Sequence, residues 1–242
     1  MLRRFGGEGA PVLLLHGLAG HAGEWAGTAE WLCERAAIFA LDRDGGDGAA
    51  AVEEIGAGPV VCVGHSVGGR AAMRLAAERP ELVRGLVVAE ASPEGGPKVA
   101  EEAAARVGEA LARWPDSFAS REEAVGFFGG PSPRAEAWAD GLVERDGRLR
   151  AAFDREAAVE ALRVALARPL WDEWERIVCP TLIVRGEAGD LDQATAVRMA
   201  AQLPEAGVAT VGGAGHELHL ERPDDWRRVL EPFLRDLSPP RR

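Results

Sequence analysis

Tyrosine and asparagine are missing from these 242 residues and lysine occurs once, at Lys98, so arginine carries nearly all the positive charge. The missing types are those with AT-rich codons, which points to a GC-rich bacterial genome and to drift rather than function. Loss of asparagine also accompanies heat adaptation, but that adaptation enriches lysine. Cysteine is scarce as well. Cys33, Cys62 and Cys179 are odd in number, far apart and without metal-ligand spacing. They exclude a disulfide framework and read as small buried hydrophobes of a reducing cytoplasm. No apolar stretch approaches the roughly 18 residues of a membrane span. The opening "MLRRFGGEGA" leads only into the apolar run 11–15, unlike a secretory signal. A formal charge of -11, scattered rather than gathered in a tail, argues against nucleic acid or an anionic membrane as the main partner. The expectation is a cytoplasmic protein acting on a small molecule.

Hydrophobic residues make up 47% of the chain, enough for a substantial core. The length suits one α/β domain, or one core with a sizeable insertion. Apolar runs and amphipathic stretches alternate, the pattern of a mostly parallel sheet covered by helices on both faces. Strands are expected at "PVLLLHG" (11–17), "AIFALD" (37–42), "GPVVCVG" (58–64), "VRGLVVAE" (83–90), "CPTLIVRG" (179–186) and "GVATVGG" (207–213). "TAEWLCERA" (28–36) and "VGGRAAMRLAAERP" (67–80) read as helices. So does "PDDWRRVLEPFLRDL" (223–237), with proline at its start and acids in its first turn. No internal repeat is visible.

Between Glu90 and Cys179 the alternation stops. "PKVAEEAAARVGEALARW", "SREEAVGFF", "SPRAEAWADGLV" and "FDREAAVEALRVALARPLWDEWERI" read as consecutive helices with no strand among them. The expected division is therefore a sheet core over 1–90 and 175–242 and a helical cap over 91–174. Such a cap belongs above the carboxyl edge of the sheet, where open α/β sheets bind ligands. Trp114, Trp138, Trp171, Trp174, Phe118, Phe127 and Phe128 all fall in it. Any one of them is more often cap packing than pocket wall, but together they suggest an apolar pocket.

"PVVCVGHSVGGRAAM" (59–73) sets Gly64, Ser66 and Gly68 between a buried strand and a helix. A bare Gly-x-Ser-x-Gly arises by chance in about one chain of this length in ten. Placed at a strand-to-helix junction it makes a sharp elbow. The glycines remove side chains that would collide, and Ser66 is presented above the sheet at the positive end of the helix. The Val67 amide then faces the place where an oxyanion would form. A hydroxyl needs a base, and the base an orienting carboxylate. Of the five histidines, His216 in "GAGHELHLERP" follows the last strand and can swing to the sheet's carboxyl edge. His16 precedes a loop whose Leu18 amide can complete the oxyanion hole, and its own ring reads as structural. His65 lies within the elbow and should point away from the serine. His21 and His219 read as surface or packing residues.

Four segments, "LLLHGLAG" (13–20), "VGHSVGG" (63–69), "LIVRGEAGD" (182–190) and "GAGHELHLERP" (213–223), together resemble the α/β-hydrolase family. They stand in that family's order, nucleophile, acid, histidine, and the resemblance covers 1–90 and 175–242. Two departures follow from it. Only residues 44–58 separate "FALD" from the elbow strand, so the helix usual there is cut to a turn or two. Many members carry Asp three residues after the strand-ending glycine, where this chain has Gly189. Asp190 stands one place later and is the favoured acid. Glu90, at the end of the preceding core strand as in haloalkane dehalogenase-like members, is the alternative. The resemblance implies a serine hydrolase of a small, largely apolar carboxylic ester or lactone, with no metal or bound organic cofactor. "GGEG" (6–9) and "DGGDG" (44–48) lack the setting of a phosphate loop. The same fold also serves ligand sensors, C–C hydrolases and cofactor-free haloperoxidases.

Overall fold

The computed structural model describes residues 1–42 and 48–237; "DGGDG" thus falls mostly outside the described residues. The chain runs β1 (Leu2–Gly6), β2 (Pro11–Leu15), a 3-10 turn (Ala22–Trp25), α1 (Ala26–Leu32), β3 (Ala37–Leu41), α2 (Gly48–Ile55), β4 (Val60–His65), α3 (Val67–Glu78) and β5 (Val83–Ala89). After β5 come α4 (Pro97–Ala112), α5 (Arg121–Phe127), α6 (Pro133–Asp140), β6 (Leu142–Arg145), β7 (Arg148–Ala151), α7 (Arg155–Leu166) and α8 (Trp171–Trp174). The chain closes with β8 (Thr181–Gly186), α9 (Gln193–Ala201), β9 (Ala206–Val211), α10 (Leu218–Glu221) and α11 (Pro223–Leu237).

Seven strands form one sheet in the order β1-β3-β2-β4-β5-β8-β9. Every pairing is parallel except β1 with β3. Unbroken apolar runs become the central strands because both faces are covered: all residues of β2 and β4 are buried. One apolar cluster lies on each side. Met73 and Leu75 of α3 pack on Leu13, Cys62 and Leu86, while Trp25 and Trp226 pack on Leu14, Val63 and Val87. The strand order reverses between β2 and β4, so the loops leaving these two strands diverge and open a crevice at their carboxyl ends. α2 is two turns long, as the short spacing required. Cys62 is buried, Cys33 and Cys179 are partly so, and all three are unpaired. No helix among the described residues is long and apolar enough to cross a membrane.

Three features escaped the sequence. β1 is an antiparallel edge strand whose "LRRFG" has no apolar alternation, because an edge strand buries little. "GGEG" serves as its turn into β2, with Gly6, Gly7 and Gly9 at positive φ. The stretch expected to hold only helices contains the hairpin β6–β7. Its loop is Asp146-Gly147, at φ 53 and 71, the pair of left-handed residues that a two-residue hairpin demands. The last expected helix of this stretch also breaks: Arg168 and Pro169 separate α7 from α8. α8 turns back to the sheet, where Trp174 is fully buried among core side chains.

The stretch 97–166 has its own small apolar cluster of Phe118, Val125 and Phe128 against Trp114, Trp138 and Leu149. Arg70 of α3 ties down both of its stems. This 4% exposed guanidinium donates to the carbonyls of Ser92 (2.7 Å), Glu94 (2.5 Å), Ala165 (3.0 Å) and Arg168 (2.9 Å). Burial pulls its pKa down to about 10.

Candidate active site

Ser66 joins β4 to α3 at φ 54 and ψ -121, strained for any residue with a Cβ. Its amide donates to the Ala89 carbonyl at 2.9 Å, and its carbonyl accepts from Arg70 N at 3.2 Å. The flanking glycines supply room rather than unusual dihedrals. A Cβ on Gly64 would lie 2.4 Å from the Gly68 carbonyl oxygen, and one on Gly68 would lie 2.5 Å from those of Leu15 and His16. Both obstacles are backbone and cannot step aside. Gly68→Val is therefore expected to abolish soluble folded protein or, if any folds, to lower its melting temperature sharply. Normal yield with normal kinetics would refute the close approach.

Of the four non-glycine residues with positive φ among those described, Ala19, Ser66 and Glu90 line one cavity, of about 560 Å³. Strain gathers at this cavity, as it does at functional sites. The floor comes from the carboxyl ends of the parallel strands, and α4, α6 and α7 close the top. Leu18 and Val67 stand beside Ser66 in the wall. The Leu18 loop is a tight turn in which Gly20 N donates to the Gly17 carbonyl at 3.2 Å. His16 Nδ1 is spent on that same carbonyl at 2.7 Å, a structural use.

His216 reaches the cavity from the loop after β9, and its neighbours hold that loop on three sides. Glu221 accepts from Gly215 N (2.6 Å) and Glu217 N (3.2 Å). His65 Nε2 donates to the His216 carbonyl at 2.8 Å. His65 thus turns from the serine to brace the His216 loop. Burial, with His216 and His219 nearby, holds its pKa well below the ordinary value, so it stays neutral.

Both candidate acids converge on His216 Nδ1. Glu90 Oε2 and Asp190 Oδ2 each lie 3.3 Å away, and the Glu90 contact has hydrogen-bond geometry. Their settings differ. The Glu90 side chain is wholly buried and accepts three amides, from Gly186 (2.7 Å), Asp190 (2.6 Å) and Leu191 (3.2 Å). Asp190 is about half exposed and paired with both terminal nitrogens of Arg106 on α4, at 3.2 and 3.3 Å. Gly189 explains the arrangement: a Cβ there would sit 2.3 Å from both Glu90 carboxylate oxygens. Burial alone would lower the His216 pKa. The hydrogen bond to Glu90 and the charges of Asp190, Glu90 and Glu217 outweigh it, leaving the pKa raised.

A model of the "Alpha/beta hydrolase family" matches residues 12–229. This chain belongs to the alpha/beta hydrolase family. It is 26% identical over 250 residues to 2-(acetamidomethylene)succinate hydrolase of Mesorhizobium japonicum, covering 94% of this chain and 89% of that one. Against the pimeloyl-[acyl-carrier protein] methyl ester esterase of Chromobacterium violaceum it is 27% identical over 247 residues, covering 94% and 95%. The crystal structure of E-2-(acetamidomethylene)succinate hydrolase superposes with a TM-score of 0.84 at 23% identity, over 97% of this chain and 94% of that one. The enol-lactonase of Burkholderia xenovorans LB400 superposes with a TM-score of 0.73 at 18% identity, over 97% and 96%.

Several residues in or beside this hydrolase's cavity had no sequence signal of their own. Arg106 is one of many arginines in the chain and the single one within the amphipathic α4. His21 caps the 3-10 turn, accepting from Gly23 N at 3.1 Å, and its other nitrogen lies 2.9 Å from the Ala137 carbonyl. His219 is buried, stacked on Trp25 at 4.3 Å. Among the described residues, Glu24, His65 and His219 are the one group of three His, Cys, Asp or Glu residues with ligand-capable atoms within 4.8 Å of one another.

Proposed function

We propose that the chain is a cytoplasmic serine hydrolase of a small, largely apolar carboxylic ester or lactone, working through an acyl-enzyme. Ser66 Oγ attacks the acyl carbon while His216 Nε2 takes its proton. The Leu18 and Val67 amides bind the oxyanion. His216 returns the proton to the departing alkoxide, then activates the water that frees the acid. Glu90 orients the imidazole, with Asp190 as a second carboxylate on the same nitrogen. The carrying observation is the strained Ser66 facing one cavity with a His216 whose Nδ1 is held by carboxylate. The names of the relatives, an ester hydrolase and an enol-lactonase among them, support acyl transfer to water. A fluorophosphonate probe with a panel of p-nitrophenyl esters tests the reading. Labelling of Ser66 and turnover are expected; neither would favour a ligand sensor on the same fold.

The proposal includes 91–174 as the lid over a core of 1–90 and 175–242. Besides Arg106 and Arg134, its side of the cavity is aliphatic and aromatic, from Val107, Leu111, Trp114, Phe128, Trp138 and Leu162, which favours medium acyl chains over acetyl. Trp114, Phe128 and Trp138 belong both to the cavity wall and to the lid's apolar cluster, and Phe118 to the cluster alone. Trp138 faces the cavity, whereas Phe118, 1% exposed, is packed inside the lid. Trp138→Ala should change chain-length preference, whereas Phe118→Ala should chiefly lower the melting temperature, costing about 3–5 kcal/mol. Kinetics on two esters beside thermal melts separate them; equal destabilisation with unchanged preference would place Trp138 in the lid's core instead.

The base must be neutral to accept the serine proton. With the His216 pKa raised above the ordinary 6.5, kcat/KM should fall as pH drops through that raised value. Asp190→Asn removes one of the charges that raise it, so the acid limb should move to lower pH. An unmoved limb would deny Asp190 any influence on the imidazole.

A further inference from the structure

Three groups in the cavity wall, His65 and His219 buried and Glu24 partly so, have no part in the proposed reaction. Glu24 lies in the 3-10 turn after β2, His65 ends β4, and His219 lies on α10. His65 donates from Nε2 to the His216 carbonyl at 2.8 Å. Its lone pair is therefore on Nδ1, which is buried without a hydrogen-bond partner. His219 is 3% exposed and neither ring nitrogen has a hydrogen-bond partner. Stacking on Trp25 at 4.3 Å sets its plane, and its Nε2 lies 3.7 Å from Glu24 Oε1. Buried polar atoms are ordinarily paired. Two imidazoles and one carboxylate are also a complete protein ligand set for an ion of the zinc class.

We propose that Glu24, His65 and His219 form a binding site for one zinc-class divalent ion, and that its occupancy inhibits the hydrolase. One ligand-capable atom of each residue lies within 4.8 Å of the others', so a small inward shift with a ring turn brings the three to Zn–N and Zn–O distances of roughly 2.0–2.2 Å. The support behind the ligands matches a metal site, since metal-bound histidines commonly donate their second nitrogen to a backbone carbonyl, as His65 does. The cavity is the entry path, and water or substrate oxygen can fill the fourth position. Inhibition follows from charge. The His65 ring centroid is 4.8 Å from that of His216, so a dication on His65 opposes the imidazolium that must form during acyl transfer. The inhibition rests on the hydrolase reading above; the binding does not.

The test is calorimetry with zinc, and cobalt absorption in the visible, on the full chain and on Ser66→Ala. One-to-one binding in the micromolar range and a ligand-field band typical of tetrahedral cobalt are expected in both. His219→Gln and Glu24→Gln should each weaken binding about 100-fold, while Cys33→Ser leaves it unchanged. No saturable binding below about 1 mM, or binding retained in both ligand variants, overturns the site. Should both variants fail to fold, imidazole nitrogen spectra of the wild-type chain decide. Zinc must shift one nitrogen of two histidines, and unmoved spectra refute the site. One equivalent of zinc should lower turnover at least tenfold, reversed by a chelator. Zinc binding with undiminished turnover overturns the inhibition. If no ester is turned over under any condition, the hydrolase reading and the inhibition fail together, and calorimetry still decides the site.

Discussion

Ser66→Ala is expected to lower kcat/KM by at least about 10³-fold and abolish fluorophosphonate labelling, with the melting temperature nearly unchanged. The hydroxyl is the only protein group in the proposed scheme that forms a bond to the acyl carbon, so its removal leaves oxyanion binding and positioning alone. The fold should barely register the change. Ser66 is half-buried at the cavity floor, and alanine can occupy the same φ of 54 with the same Cβ. The glycines that make room for the turn are untouched. Retention of more than a tenth of the activity, in a preparation cleared of contaminating esterase, would remove Ser66 from the mechanism.

The second large effect separates the two acids. Glu90→Gln is expected to lower kcat by up to about 10⁴, and Asp190→Asn by about tenfold or less. Both oxygens lie 3.3 Å from His216 Nδ1, so distance does not rank them; environment does. Glu90 is out of solvent, its orientation fixed by three amide donors, and a carboxylate so held keeps the imidazole in the tautomer that leaves Nε2 free to accept. Asp190 is half exposed, and Arg106 offsets its charge. Glutamine at position 90 would aim an amide N–H₂ at those donors, so a melt must accompany the kinetics. A second variant avoids that ambiguity. Gly189 is a glycine because the Glu90 carboxylate fills the space above it. Glu90→Gly, which also relieves the positive φ at that position, should be nearly inactive. Adding Gly189→Asp puts a carboxylate into the emptied space and should recover at least tenfold. An inert Asp190→Asn beside an active Glu90→Gln would restore the ordering favoured by the sequence.

The mostly parallel sheet and the elbow were legible because each depends on local chemistry. Continuous apolar runs can only be strands buried on both faces, and glycines around Ser66 mark a crossing that tolerates no Cβ. The "GAGHELHLERP" segment likewise carries its own explanation, since Glu221 binds the two amides that flank His216. The hairpin β6–β7 was not read despite the turn pair Asp146-Gly147, because polar flanks on a surface ribbon hide the alternation that makes a strand visible. β1 is hidden for the same reason. Other features exist only once distant segments meet. Glu90, Gly189 and His216 share one site, although the first and last are 126 positions apart. Arg70 joins two stems through carbonyls that any residue could supply, so no side-chain pattern announces it. The choice between Asp190 and Glu90 belongs to this class. By itself the sequence determined a glycine-flanked serine at a strand-to-helix junction and a histidine in the loop after the last strand, both at the sheet's carboxyl edge. Only the tertiary structure decided which carboxylate is desolvated and amide-bound there, because burial and hydrogen-bond donors come from the packing of β5 against β8 and not from the residues beside the acid.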